Sequence, residues 1–138
     1  MKLFARWKRK KILADPGVDV AERAARLYDA GYNCAQAVLQ ANCPEVSDGL
    51  VEMADVFGGG IDDSKCLCGA VTGGTMALSL RGKKKKASML VERFRQEYRT
   101  TCCKGLTARF EWNSKEHITN CRDMTARTAE MVAELLRE

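Results

Sequence analysis

The chain has 138 residues and is 46% hydrophobic, so it is long enough to bury a core as one domain without disulfide staples. Its net charge of +5 is concentrated at the start, because six of the 23 Lys and Arg residues lie within residues 1–11. The remainder is nearly neutral, with no basic stripe interleaved with aromatic residues, which argues against a nucleic-acid interface. The basic start is not followed by the apolar core of a signal peptide, and no stretch reaches membrane-spanning length. We therefore expect a cytoplasmic protein without a transmembrane segment.

Residues 1–19 are predicted to form a basic N-terminal extension. One interpretation is a solvated, partly ordered segment, as is common at chain termini. The other is an arm that binds a membrane surface or a partner, because Leu3, Phe4 and Trp7 lie among the cations.

Residues 20–138 are predicted to form an all-α domain, a single helical bundle of about five to six helices. The chain has only two prolines and no alternating apolar run of strand length. Gly31 is predicted to end the first helix, Asn33 with Gln36 to form a capping box on the second, and Ser114 to cap the last. The predicted helices cover residues 20–30, 34–41, 48–57, 69–80 and 87–99, a turn starting at Cys102 and capped by Thr100 or Thr101, and the segment after Ser114.

Seven cysteines are the main functional signal, and six of them fall at four places along the chain. These six are Cys34, Cys66, Cys68, Cys102, Cys103 and Cys121, whereas Cys43 lies beside Pro44 in a predicted turn and is interpreted as incidental. In a reducing compartment such a set indicates metal or redox chemistry more often than a disulfide framework. Three of the four places are predicted helix starts, where backbone N–H groups stabilise a thiolate and lower a thiol pKa.

The spacing leaves three kinds of site open. No Cys-x-x-Cys occurs, which excludes the thioredoxin motif, the zinc ribbon and the haem-attachment sequence. A site assembled from distant helices could bind an iron-sulfur cluster, hold a zinc or copper ion, or cycle between dithiol and disulfide. The only histidine, His117, is four residues before Cys121 and on the same predicted helix face. It is interpreted as a structural residue, a metal ligand, or a hydrogen-bond donor to a cluster sulfur.

The segment Cys68-Gly69-Ala70-Val71-Thr72-Gly73, after the Gly58-Gly59-Gly60 loop, resembles the CGAxxG motif of the redox-active family named for its C_GCAxxG_C_C cysteine pattern. The resemblance extends from about Val20 to the end and implies a small helical protein whose family cysteines are Cys34, Cys68, Cys103 and Cys121. Cys66 and Cys102 are additions to the pattern, and they favour a metal over a simple disulfide pair. The chain is also similar to the cysteine-rich part of split-Soret cytochromes, which suggests an iron-sulfur centre.

The leading hypothesis is an iron-sulfur protein for electron transfer or redox sensing, acting with an unidentified redox partner protein; a homodimer is also considered, and enzymatic activity is left open. Cys66, Cys68, Cys103 and Cys121 are the preferred ligands, with Cys102 and Cys34 as close competitors. Gly69 and Gly73 are expected to give the cluster room, and His117 to contact it. The alternatives are a metal-free thiol-disulfide protein with Cys34 or Cys68 as nucleophile, and a zinc- or copper-binding module without turnover.

Overall fold

Eight α-helices make up the part of the chain that the structure describes, in which no strand occurs. The structure is a computed structural model that describes the backbone of residues 3–138 and the side chains of residues 6–138. Met1, Lys2 and the side chains of Leu3 and Phe4 in the basic segment lie outside the described residues. The helices are α1 (Leu3–Ala14), α2 (Val20–Asp29), α3 (Cys34–Asn42), α4 (Asp48–Ala54), α5 (Gly69–Leu80), α6 (Ala87–Tyr98), α7 (Cys103–Thr107) and α8 (Lys115–Arg137).

The predicted all-α class is confirmed, and the expected five to six helices are close to the observed number. The differences are α1, which the sequence analysis left as an extension, and α7, which was expected only as a turn. The predicted helix over residues 48–57 ends at Ala54 and continues as a 3₁₀ turn, Asp55–Phe57.

Side-chain caps fix the helix starts that place the cysteines. Asn33 accepts a hydrogen bond from the Gln36 N–H at 2.9 Å, and the Gln36 side chain accepts from the Asn33 N–H at 3.1 Å, which confirms the capping box. Ser114 caps α8 by accepting from the His117 N–H at 3.1 Å. Thr100 accepts from the Cys102 N–H at 3.1 Å, just before α7. The Asn33 and Ser114 caps set the positions at which Cys34 and His117 enter their helices. The N-cap residue of α7 is Cys102, without a side-chain cap, so the cap predicted at Thr100 or Thr101 is wrong.

Helix α3 lies at the centre of the bundle, against α2, α5 and α8, and every residue from Ala35 to Asn42 is buried. The small-residue face of α5 makes this possible. A Cβ added to Gly73 would run into the backbone carbonyl of Ala35, and one added to Gly74 would lie 2.6 Å from Leu90 Cδ2. At Gly73 the missing side chain therefore gives room to a neighbouring helix.

The basic segment is joined to the bundle through α1. The Arg9 side chain donates to Gln40 at 2.5 Å, to Asp48 at 2.6 Å and to the Val46 carbonyl at 3.1 Å. Ile12 and Leu13 pack against the core. Within residues 3–138, none of the helices combines the length and the apolar character that crossing a bilayer requires.

Candidate redox site

Side chains from four helices and two loops surround one cleft of about 420 Å³. Three of the predicted cysteines line it: Cys34 at the start of α3, Cys103 at the start of α7, and Cys121 in α8. The remaining lining residues are Tyr28, Asn33, Gly59, Asp63, Lys65, Trp112, Asn113 and His117. The fold thus brings together thiols that are up to 87 residues apart in the sequence.

Negative charge on Cys34 raises the pKa values of the other thiols in this group. Backbone N–H groups of Ala35, Gly59 and Gly69 face its sulfur and favour the thiolate, but burial outweighs them and raises the pKa of the thiol. Gly69 leaves the space that the sulfur uses, because a Cβ there would lie 2.5 Å from Cys34 Sγ and 2.5 Å from the Phe57 carbonyl oxygen. The CGAxxG segment is therefore in direct contact with the first cysteine.

Cys68 is the N-cap residue of α5 and is buried beside this group rather than lining the cleft. Its N–H donates to the Thr101 carbonyl at 2.7 Å, which ties the start of α5 to the segment before α7. Burial, and then negative charge on Cys34, raise the pKa of the Cys68 thiol. Cys103 contributes in the same direction.

Cys103 and Cys121 belong to the same coupled group. Burial followed by charge on Cys34 raises the pKa of Cys103 to about 11 and that of Cys121 to about 12. Tyr28 is held neutral in the same way, because burial and then charges on Cys121, Cys34 and Cys103 raise its pKa. The four family cysteines therefore oppose one another's ionisation, which a bound cation would relieve.

The helix starts do not lower the pKa values of these thiols as expected. Cys34, Cys68 and Cys103 do lie at helix starts, which confirms that part of the prediction. The expected lowering is wrong for these three thiols, because burial disfavours their thiolates, and at Cys34 and Cys68 it outweighs the backbone N–H groups that face the sulfur. It is confirmed for Cys102 at the start of α7, where backbone hydrogen bonds from Gly105 and Lys104 lower the pKa.

Cys66 and Cys102 lie outside the cleft lining, although both were predicted ligands. Cys66 is exposed and Cys102 is partly exposed. Backbone hydrogen bonds from Gly105, and then from Lys104, lower the pKa of the Cys102 thiol, and a hydrogen bond from the Cys66 side chain contributes. Cys43 is buried in the core, with its Sγ 3.8 Å from the Ala77 carbonyl oxygen, apart from either group.

His117 lines the cleft with one nitrogen engaged and the other without a partner. Its Nδ1 accepts from the Asn113 N–H at 2.9 Å, so the neutral ring carries its proton on Nε2. That Nε2 is buried and has no hydrogen-bond partner. The ring packs against Trp112, with the centroids 4.3 Å apart, and burial together with the charge of Lys65 lowers the His117 pKa. The neutral imidazole therefore has a free donor in a cleft of thiols.

Among the described residues, no three His, Cys, Asp or Glu side chains are arranged to hold one metal ion. A tetrahedral zinc site needs its sulfurs at about 2.3 Å from a common point, which the cleft does not provide. The donor set is nevertheless all sulfur and soft, with space beside it.

Sequence reasoning missed five residues of the cleft: Tyr28, Asp63, Lys65, Trp112 and Asn113. It gave Asn33 and Gly59 only the roles of a helix cap and a loop residue. Lys65 and Trp112 come from loops and meet in space, where the Lys65 ammonium lies 4.5 Å from the Trp112 ring centroid. No periodicity signals such loop residues. The one available hint was the position of Trp112 and Asn113 close before His117.

A family model described as "Putative redox-active protein (C_GCAxxG_C_C)" matches residues 32–135 and confirms the resemblance read from the motif. No curated protein and no solved structure matches the chain. The match spans all four family cysteines, from Cys34 to Cys121, and most of the chain. The chain therefore belongs to the C_GCAxxG_C_C family of redox-active proteins.

Proposed function

We propose that this protein binds an iron-sulfur cluster through Cys34, Cys68, Cys103 and Cys121 and uses it for electron transfer or redox sensing. One observation carries the proposal: thiols from α3, α7 and α8 surround a single cleft, and the buried Cys68 immediately precedes Gly69, which lies against the Cys34 sulfur. Four cysteines are the usual ligand set of such clusters. Cys34 replaces Cys66 in the preferred ligand set, because Cys34 lines the cleft whereas Cys66 is exposed on the surface.

The residues around the four thiols offer backbone donors and one lysine to a group that carries negative charge, with Asp63 as the one carboxylate in the lining. The N–H groups of Ala35, Gly59 and Gly69 face the Cys34 sulfur, and Lys65 lies at the cleft wall. Hydrogen bonds and charges of this kind stabilise cluster sulfurs and set their potential. When bound, the cluster would accept and donate one electron at a time.

His117 is proposed as a hydrogen-bond donor to this group, and not as a ligand. A ligand nitrogen must offer a lone pair, but Nδ1 already accepts from the Asn113 N–H and Nε2 therefore carries the proton. The Nε2–H has no hydrogen-bond partner, and a sulfur of a bound cluster would supply one.

The other two hypotheses have less support. Thiol-disulfide chemistry at Cys34 or Cys68 needs a thiolate, and burial keeps both thiols protonated near neutral pH. A zinc or copper module needs ligands around one point, and among the described side chains of residues 6–138 no three His, Cys, Asp or Glu groups are arranged in this way.

The test is anaerobic reconstitution of the full chain with iron and sulfide, for the wild type, Cys34→Ser and the matched control Cys43→Ser. We expect brown wild-type protein with visible absorption and roughly equal iron and sulfide. Cys43→Ser should match it, because Cys43 lies in the core away from the cleft. Cys34→Ser should lose most of the bound iron while keeping its helical circular dichroism.

A colourless wild type after reconstitution would overturn the proposal. Thiol counting at defined redox potentials then separates the alternatives, since a reversible loss of two thiols without metal indicates disulfide chemistry at the cleft. Stoichiometric zinc without sulfide would indicate the single-ion module.

A further inference from the structure

We infer a second redox site on the surface: Cys66 and Cys102 form a dithiol that low-molecular-weight anionic disulfides, such as oxidised glutathione, oxidise reversibly to a disulfide. The inference is independent of what the cleft binds. Neither cysteine belongs to the family pattern, and neither lines the cleft.

The backbone holds these two cysteines side by side. The Lys104 N–H donates to the Lys65 carbonyl at 2.9 Å, and the Cys68 N–H donates to the Thr101 carbonyl at 2.7 Å. These two bonds join the segment 65–68 to the segment 101–104, and Cys66 and Cys102 lie between them. The pairing therefore fixes the two cysteines against each other from both ends.

The Cys102 side chain reaches across to the segment that carries Cys66. The Cys102 thiol donates to the Lys65 carbonyl, with its Sγ 3.4 Å from that oxygen, so it lies against the residue that precedes Cys66. The Cys66 carbonyl accepts from the Ile61 N–H at 2.7 Å and from the Ser64 hydroxyl at 2.9 Å, so the exposed cysteine sits on an ordered backbone. Closure to a disulfide requires the sulfurs to approach to about 2.05 Å, a side-chain movement from this starting point.

This pair differs from the cleft thiols in its exposure to solvent. Cys66 is exposed and Cys102 partly exposed, whereas Cys68 and Cys103, their neighbours in sequence, are buried. Lys104 is exposed beside Cys102, and its charge acts on that sulfur. An ammonium group at the approach favours a negatively charged disulfide over a neutral one.

The exchange balances as two substitutions at sulfur. One of the two cysteines loses its proton to solvent and attacks one sulfur of the small disulfide, forming a mixed disulfide and releasing one small thiolate. The other cysteine then loses its proton to solvent and attacks the sulfur of the first, which forms the protein disulfide and releases the second small thiolate. Two electrons pass from the dithiol to the small disulfide, and excess reduced thiol reverses both steps.

The experiment equilibrates the full chain, under argon, in glutathione buffers of defined ratio and maps the oxidised thiols after acid quenching and differential alkylation. Trypsin leaves Cys66 and Cys68 together in peptide 66–81, and Cys102 and Cys103 together in peptide 100–104, so tandem mass spectrometry must sequence both peptides. We expect the Cys66–Cys102 disulfide to be the first to form, with Cys68 and Cys103 alkylated as free thiols.

Two variants and one control sharpen the result. Cys66→Ser should stop at a stable mixed disulfide with glutathione on Cys102, since the resolving thiol is gone. Cys102→Ser should stop at a mixed disulfide with glutathione on Cys66 for the same reason, and Cys121→Ser should still form the surface disulfide.

The inference would be overturned if the first disulfide to form joined cysteines of the cleft. It would also be overturned if the thiols of Cys66 and Cys102 stayed reduced in oxidised glutathione. Loss of bound iron in Cys66→Ser and Cys102→Ser would also overturn it, by making both residues cluster ligands. The cluster proposal fails by a different measurement, the iron content of the reconstituted wild type, so the two failures can be told apart.

Discussion

At the scale of single residues, the fold decides which of its two nitrogens His117 can use as a hydrogen-bond donor. The Asn113 N–H occupies Nδ1 and so fixes the tautomer, and the surroundings bury Nε2 without a partner. The side chain is only 5% exposed, so protonating it places a charge in a poorly solvated cleft near Lys65. The histidine is therefore a neutral donor.

This residue makes the stability of the protein depend on pH. Its pKa is lowered below the ordinary 6.5, so at intermediate pH the unfolded chain binds a proton that the folded chain does not. The free energy of unfolding should therefore fall as the pH drops below about 6.5 and level off below the folded-state pKa. Urea unfolding between about pH 8 and pH 5 should show this fall in the wild type.

The comparison variant is His117→Asn, whose side-chain oxygen can still accept from the Asn113 N–H but cannot titrate. Its stability should lack the histidine contribution to the fall. Equal slopes in the two proteins would contradict the burial argument. The chain has one histidine, so its nitrogen NMR signals should also identify the Nε2–H tautomer without ambiguity.

At the scale of secondary-structure elements, the contact between α3 and α5 connects the glycine motif to the cysteine site. Gly73 lies against the Ala35 backbone and Gly69 against the Cys34 sulfur. The sequence predicted that these small residues allow a close approach. It could not say whether a helix or a bound group makes that approach, because composition does not specify a partner.

The variant Gly69→Ala tests this contact. Its Cβ would lie 2.5 Å from both Cys34 Sγ and the Phe57 carbonyl oxygen, and the backbone atom cannot move cheaply. We expect a loss of about 1–3 kcal/mol in the free energy of unfolding, as for other overpacked sites. Gly49→Ala in α4 is the matched control, because nothing lies within 4 Å of its added Cβ.

The control should be neutral or more stable by up to about 1 kcal/mol, since alanine favours a helix over glycine. Urea unfolding of both variants gives the comparison. Equal effects at residues 69 and 49 would show that the close approach of α3 and α5 does not constrain position 69.

At the scale of the whole molecule, α1 decides how far the folded domain extends. Arg9 is only 13% exposed on its side chain and reaches Gln40, Asp48 and the Val46 carbonyl, which belong to the central helix and the α3–α4 region. Gln40 is fully buried. Removing Arg9 would leave a buried acceptor without its donor.

We therefore expect Arg9→Ala to lower the free energy of unfolding by about 1–3 kcal/mol and to speed proteolysis within α1. Arg6→Ala is the control, because Arg6 pairs with the same Asp48 at 3.6 Å but is 54% exposed. Such an exposed pair contributes about 0.5 kcal/mol or less. Equal losses would mean that α1 is held by charge alone.

Much of the architecture followed from local signals in the sequence. The all-α class, the Asn33–Gln36 capping box and the Ser114 cap were predicted and are confirmed, since each depends on residues within a turn or two of one another. The family was recognisable from the segment at residues 68–73 for the same reason. Helix α1 escaped prediction because its Arg9 contacts lie more than 30 residues away.

The sequence by itself determined that this is a helical, cysteine-rich member of a redox-active family, because periodicity, caps and a contiguous motif are local properties of the chain. Only the tertiary structure decided which thiols share an environment. It grouped Cys34 and Cys121 around one cleft and set Cys66 apart with Cys102 on the surface. It also reversed the expected pKa direction for the buried Cys34, Cys68 and Cys103, because the desolvation of a thiol depends on everything packed around it, and the sequence neighbours supply only part of that.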